Sequence, residues 1–588
     1  MSLRVRLIGV AVLALILGLL PSTGALTQTQ GQVLTIGTTD RITELSPANS
    51  YDYWTWHVFR QTTNGLVTIK PGTSEVIPAL AKSWDISADG TVYTFKLRQG
   101  VTFTDGTAFN CAAMKWSIDR NLKLNGPKGG VYLISMIKET KCLDDYTLQI
   151  TIKSPDTTFI KRLDNPPAWA YSPKSTPADT FAKGKWAGTG PYEMIEYKPE
   201  ERVVYQAYDK YWGCNDSIVT AAEKAIFCPR IKKVIEVFYA NAAALAAATQ
   251  SGEVDIGFRT FNPDDIISME KNPNLKEFKA SSSVAIRYLV FNVTMAPFNN
   301  PLVREAIALS VDRSAIVSKV FAGINKPLYT MVPPGFAESE NVFPARDLAT
   351  ARELLKQAGY TKDHPLEITL SFTPKHYGST ESDVAAVMKT SLEETGVIKL
   401  NLESLEWGTM TSRMSKADEL PFFLLGWYPD FLDPDNFLAP WLTESTKSLG
   451  SFTTDTVNVK FQNMERTETD PTVRALIFAA WQGYMAADWP WESFSAILKA
   501  KLEAIANMTK LPAVKGLAEE AINQIPWGIS SLTDRLAKAK ELQDTVQPVV
   551  VIPLWQNMVQ MYAFTKPNIT GVVLDVTTYF RDWLIDMK

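Results

Sequence analysis

Three carboxylates fall close together in the chain, at Asp430, Asp433 and Asp435. They sit in the stretch LLGWYPDFLDPDNFLAP, residues 424–440, among Trp427, Tyr428, Phe431 and Phe437, with Trp441 just beyond. Apolar surroundings make an ionised carboxylate costly unless something pairs with it. Asp433-Pro434-Asp435-Asn436 reads as a helix start, with Asp433 as the N-cap and Pro434 at the first helical position. Asp430 has no such role. It follows the apolar run 422–427, which reads as a buried strand. A carboxylate at a strand end beside a Trp is placed to catch a cation, for example a ligand amine. The alternative is a turn residue satisfied by backbone N–H groups.

Other chemistry finds little support. The chain contains no HExxH, no GxSxG and no His–Cys nucleophile arrangement. It has no GxxxxGK[ST], and Gly188-Thr189-Gly190-Pro191 is too short for a dinucleotide fingerprint. An acid pair such as Asp430 and Asp433 could still serve a glycosidase, so a secreted hydrolase stays as a rival class. No cofactor is expected. The 3 His residues (His57, His364, His376) lie far in sequence from the 4 Cys, so disulfides are expected rather than a metal site. Cys214–Cys228 would close a short loop. Cys111–Cys142 would form if the helix after Asn110 packs on the strand after Lys141.

The start of the chain points to export. Arg4 and Arg6 precede an apolar run from residue 7 to 20, and Thr23-Gly24-Ala25 ends in a small residue. This reads as a secretory signal over 1–25 with cleavage near Ala25, with a retained membrane anchor as the alternative. An extracytoplasmic or periplasmic location follows. The formal net charge of −4 and the lack of a basic block make nucleic acid a poor partner. The 588 residues exceed one typical domain, so two or more lobes are expected. A surplus of Trp (16) and Tyr (20) suits a cleft for sugars or peptides, although core packing would also use it.

The elements that must position these residues read as follows. Residues 33–39 form a short strand. Residues 51–65, YDYWTWHVFRQTTNG, have helical spacing and a Gly stop. Trp54, Trp56 and His57 cannot all face one core from a single helix, so one face is expected to line a cleft, with ordinary packing as the alternative. Residues 91–98 and 146–153 alternate as strands. A helix follows Asn110 over about 112–122. A strand pair begins at 189–192 and returns over 201–207.

Several runs then resemble one family in its own order. They are Ile77-Pro78-Ala79-Leu80-Ala81, TFKLRQGVTFTDGTAFN (94–110), residues 188–192 with Tyr211-Trp212-Gly213, residues 287–292 followed by 297–313, and IPLWQ (552–556). The chain is similar to the extracytoplasmic solute-binding proteins of peptide-type ABC importers (family 5, the dipeptide, oligopeptide and nickel binders) from about Val33 to Val573. The resemblance implies an α/β, bilobed periplasmic-binding-protein fold (type II, the large cluster with an extra subdomain) and a two-segment hinge. It places lobe I at 31–60, 185–282 and 550–588, the extra subdomain at 61–184, and lobe II at 283–549. Ser281-Ser282-Ser283 suits the outgoing hinge and 546–551 the return.

The same resemblance implies a binding protein and not an enzyme. Its ligand is captured between closing lobes and delivered by a monomer to membrane permease subunits powered by a cytoplasmic ATPase. Asp430, shortly after Gly426-Trp427, matches the family's partner for a peptide α-amino group. Trp427 and Trp407 match pocket aromatics, and Arg413 lies one residue from a ligand-carboxylate arginine. The expected site is therefore Asp430, Trp427, Trp407 and Arg413, with Trp54, Trp56 and His57. Two departures stand out. Dipeptide binders carry an arginine in the helix after the Ser371–Pro374 strand, where this chain has Ser379, Thr380, Glu381, Ser382 and Asp383. A longer peptide, a cationic small molecule or an oligosaccharide therefore stays open as ligand. Residues 488–529 read as an insertion, with a helix at 496–506. Either 469–487 or 532–546 supplies the family helix before the last strand.

Overall fold

The computed structural model describes residues 32–414, 416, 418–442, 456–486, 491–525, 551–575 and 580–588. The signal over 1–25, residues 546–550 and the 532–546 stretch lie outside the described residues. Three sheets organise the rest. A seven-stranded sheet has Val33–Thr38 near its middle, parallel to Lys233–Phe238 on one side and Ile256–Phe258 on the other. A six-stranded sheet is centred on Ile286–Phe291, antiparallel to Phe422–Trp427 and to Val551–Gln556. A four-stranded antiparallel sheet, from Ala81–Ile86 to Thr147–Ile152, sits within 61–184. The fold is thus α/β and bilobed, with the seven- and four-stranded sheets in the first lobe and the six-stranded sheet in the second.

Local chemistry explains these elements. The three central strands of the second lobe are buried at every residue and apolar apart from Arg287 and Gln556, as a sheet covered on both sides requires. Asp52 caps the Tyr53–Thr62 helix by accepting from the Thr55 N–H, and Asn110 caps Cys111–Leu124 by accepting from the Ala113 N–H. The expected glycine stop is not what ends the first helix. It ends at Thr62, and a Cβ on Gly65 would run into the Trp169 indole. Gly188 and Gly190 pack against the Thr62–Thr63 backbone where a side chain would not fit, so close approach accounts for that glycine pair. The Cys111–Leu124 helix packs on the Ile137–Asp144 strand, and the disulfides Cys111–Cys142 and Cys214–Cys228 both form.

The chain leaves the first sheet after Lys279 and enters the second at Ile286. The return crossing lies at 557–561, not at 546–551. Val551–Gln556 is a two-sided apolar strand, so it belongs inside the second sheet beside Ile286–Phe291. The Gln556 amide ties the two crossings together, donating to the Ser283 carbonyl (2.5 Å) and the Ser282 hydroxyl (3.1 Å).

The stretch read as an insertion is helical. Trp491–Met508 and Pro512–Gln524 pack with Thr456–Thr467 and Pro471–Ala486 into a four-helix layer. Phe461, Ile477, Trp481, Leu498, Leu502 and Ile505 bury their side chains there, continuous with the second lobe's core. Truncating Leu502 to Ala should therefore cost about 2–5 kcal/mol of the second lobe's stability. Urea denaturation followed by tryptophan fluorescence should show the shift; an unchanged midpoint would mean that these helices are peripheral.

Candidate functional site

The Phe422–Trp427 strand delivers residues 428–436 to the junction of the lobes. Asp430 is only 7% exposed. Its carboxylate accepts the Tyr51 hydroxyl at Oδ1 and the Tyr132 hydroxyl at Oδ2, each at 2.7 Å. Both tyrosines belong to the first lobe and keep 41% and 47% of their surface exposed, so the cluster has an open edge. The Asp430 N–H donates to Asn436 Oδ1 (2.9 Å), which also accepts the Trp427 indole N–H (3.1 Å). The Asn165 amide reaches across to the Asp430 carbonyl (3.0 Å). Burial raises the Asp430 pKa above the ordinary carboxylate value, against the lowering by the Tyr132 and Tyr51 hydroxyls.

The flanking residues lock the junction. Phe431 enters a first-lobe cluster of Trp56, Phe59, Leu133, Trp169 and Tyr171. The Arg162 guanidinium lies 4.1 Å from its ring centre. Asp433 pairs with Lys161 of the first lobe (2.7 Å) and Arg474 of the second (2.8 Å). Asp435 pairs likewise with Arg162 (3.0 Å) and Arg466 (2.8 Å). Burial works to raise both pKa values, but the cations prevail and hold the two carboxyls below the ordinary range. Asp433 also accepts the Asp435 N–H (3.1 Å), so the capping role and the ionic role coexist.

Beside this junction lies a cleft of about 370 Å³, solvent space included, lined from both lobes by Thr260, Arg287, Ser379, Glu381 and Gln560. Arg287 sits 4.1 Å from the Tyr377 ring centre and donates to Tyr428 Oη and Glu381 Oε1, both at 3.3 Å. Tyr428 in turn hydrogen-bonds Gln560.

The expected residues are only partly gathered. Asp430, Trp427 and Trp56 meet at the junction, although Trp427 is itself buried edge-on against Trp441 (5.6 Å). Trp407 stacks on His376 at 3.7 Å, beside Tyr377. Arg413 is occupied by Glu403 (2.9 Å) and the Glu419 carbonyl (2.7 Å). Trp54 and His57 point into the first lobe's core, where both hydrogen-bond Glu236. Tyr51, Tyr132, Lys161 and Arg162 were not singled out by sequence. Their partners lie far along the chain, 379 residues away for Tyr51, and only the fold joins them.

His57, Glu236 and Asp582 bring potential ligand atoms within 4.8 Å of one another. Their contacts describe an internal ion cluster. Imidazole Nε2 lies 2.7 Å from Glu236 and 3.5 Å from Asp582. Burial lowers the His57 pKa, but the two carboxylates outweigh it and raise the group to about 10.

Comparison with known proteins follows this geometry. The family profile described as bacterial extracellular solute-binding proteins, family 5 middle, matches residues 75–448. The glutathione-binding protein GsiB of Escherichia coli K12 is 30% identical over 422 residues, 70% of this chain and 79% of that protein. Its counterpart from Pectobacterium atrosepticum is 29% identical over 471 residues, covering 78% and 87%. Among solved structures, the Helicobacter pylori periplasmic binding protein DppA in complex with the peptide STSA superposes with TM-score 0.67 at 23% identity, covering 95% of this chain and 98% of that one. The dipeptide-binding protein of Pseudoalteromonas sp. SM9913 with Met-Leu gives 0.69 at 19% identity, covering 95% and 100%. At these identities the two structures share the fold.

The His57 cluster generates a pH prediction. The folded pKa of about 10 exceeds the ordinary 6.5, so the stabilisation is complete below about pH 6.5 and is lost as pH rises towards 10. Unfolding free energy measured by denaturant between pH 6.5 and 10 should fall in the native protein. The slope should flatten in His57→Gln; an equal slope in the variant would show that another group carries it.

Proposed function

The chain belongs to the bacterial extracellular solute-binding proteins of family 5, and from that membership and the Asp430 site we propose that it captures a peptide-like solute by its amino group. As a member it is the extracytoplasmic solute-binding component of an ABC importer. The observation that carries the peptide reading is the desolvated Asp430 carboxylate at the lobe junction, coordinated by hydroxyls from the opposite lobe. A ligand ammonium entering along the exposed edge of Tyr51 and Tyr132 would find a carboxylate whose burial makes a counter-charge valuable. Lobe closure then shields the pair from water, and the closed monomer presents its load to the permease subunits and their ATPase.

The sugar alternative draws less support. Six of the 16 tryptophans, Trp54, Trp169, Trp212, Trp441, Trp481 and Trp555, are at most 2% exposed and serve the core. A retaining or inverting glycosidase needs its second carboxylate free to act on the sugar or on a water. Asp433 is fully buried, with Oδ2 paired to Lys161 and Oδ1 to Arg474, and is unsuited to that role.

Asp430→Asn keeps the shape and removes the charge. Loss of a charge-assisted hydrogen bond should weaken a free-amine tripeptide about 10- to 100-fold. Isothermal titration with tri-alanine and with glutathione checks this, with circular dichroism confirming the fold. Equal affinity in both proteins would remove Asp430 from the site.

A further inference from the structure

A second charged group is poised at the same junction. Arg259 and Thr260, which follow the Ile256–Phe258 strand, both take left-handed backbone conformations (φ 48° and 62°). Neither is glycine, and each such residue carries a steric cost. This turn buries the Arg259 side chain to 4% exposure. Its guanidinium carbon lies 4.0 Å from the Tyr53 ring centre in the first lobe and 5.4 Å from that of Tyr428 in the second. Asp40 approaches its Nε at 3.1 Å, yet neither Nε nor Nη1 makes an aligned hydrogen bond. A guanidinium presents five N–H donors, and a buried donor left unmet is destabilising. The group is therefore incompletely satisfied by the protein alone.

Its position gives that deficit a direction. Tyr51 holds Asp430 and Tyr53 holds Arg259, so one short segment at the start of a helix ties a carboxylate and a guanidinium to the same junction. The stretch where the resemblance to dipeptide binders implies an arginine offers residues 379–383 instead, and Glu381 among them is engaged by Arg287. Arg287 is not a substitute. Its donors already face Glu381, the Ile286 and Tyr377 carbonyls and the Tyr428 hydroxyl. We propose that Arg259, whose neighbour Thr260 lines the cleft, is its carboxylate-binding residue, taking a ligand carboxylate on its unmet N–H groups while Asp40 pairs with it. A planar fork suits a carboxylate in two-point contact, which a lysine would not reproduce.

The assignment rests on the peptide reading, and paired ligands separate the two. Tri-alanine and tri-alanine amide differ at the carboxylate alone. Titrated calorimetrically into the native full chain, the acid should bind at least tenfold more tightly than the amide. In Arg259→Gln the acid should drop to the amide's affinity while the amide is unchanged. Arg259→Lys, which keeps the charge and loses the fork, should fall between and serves if the glutamine variant does not fold. Retained preference for the acid in Arg259→Gln, or equal weakening of both peptides, would overturn the assignment while leaving peptide binding intact. Failure of the native protein to bind either peptide would overturn both readings.

Discussion

Desolvated charge at the lobe junction is the constraint on which this structure depends. Asp430, Asp433 and Asp435 are nearly or fully buried, and each is satisfied only because the other lobe contributes a donor or a cation. A buried carboxylate stripped of one partner is strongly destabilising, whereas the same carboxylate in water costs nothing. The junction therefore has two acceptable states: closed with every group met, or opened far enough for water to replace the missing lobe. Intermediate separations leave charges dry and unpaired. Phe431 adds to the contrast, since its ring is buried among Trp56, Phe59 and Trp169 when the lobes meet.

This two-state character is what a solute-binding protein uses. Two chain crossings, linked by Gln556, leave the lobes free to rotate while keeping their registration. The Asp433 and Asp435 pairs differ from Asp430 in what they meet. Each of those acids already has a cation from both lobes, so they serve closure itself. Asp430 has only hydroxyls and amides, and so retains the capacity to meet a ligand's positive charge. The helices Thr456–Thr467 and Pro471–Ala486 supply Arg466 and Arg474 to this system. The added Trp491–Met508 and Pro512–Gln524 pair buttresses them from behind.

Much of the fold was legible in sequence where one residue pattern answered one physical demand. The all-apolar run at 422–427 reads as a two-sided buried strand and is one, and the alternating run at 91–98 as a one-sided one. Family membership was legible from ordered motifs. Gly65 misled, because it answers to packing against Trp169 and the helix ends earlier, at Thr62. The return crossing was placed too early because IPLWQ marks a strand without saying which sheet owns it. Asp433 and Asp435 looked like capping residues, since a cap is a local signal and their cations lie on elements distant in sequence. Arg413 shows the converse: a local spacing suggests a ligand contact, and Glu403 on the neighbouring strand claims it. Among the described residues no helix is long and apolar enough to cross a membrane.

The central claim, that the cleft holds an amine-bearing peptide-like solute, is tested most directly by native mass spectrometry of the protein purified gently from its source. The account predicts an adduct, or a narrow family of adducts, with short-peptide masses, lost on denaturation and absent from Asp430→Asn. Adducts spaced by hexose units, or an adduct equally retained by the variant, would contradict it.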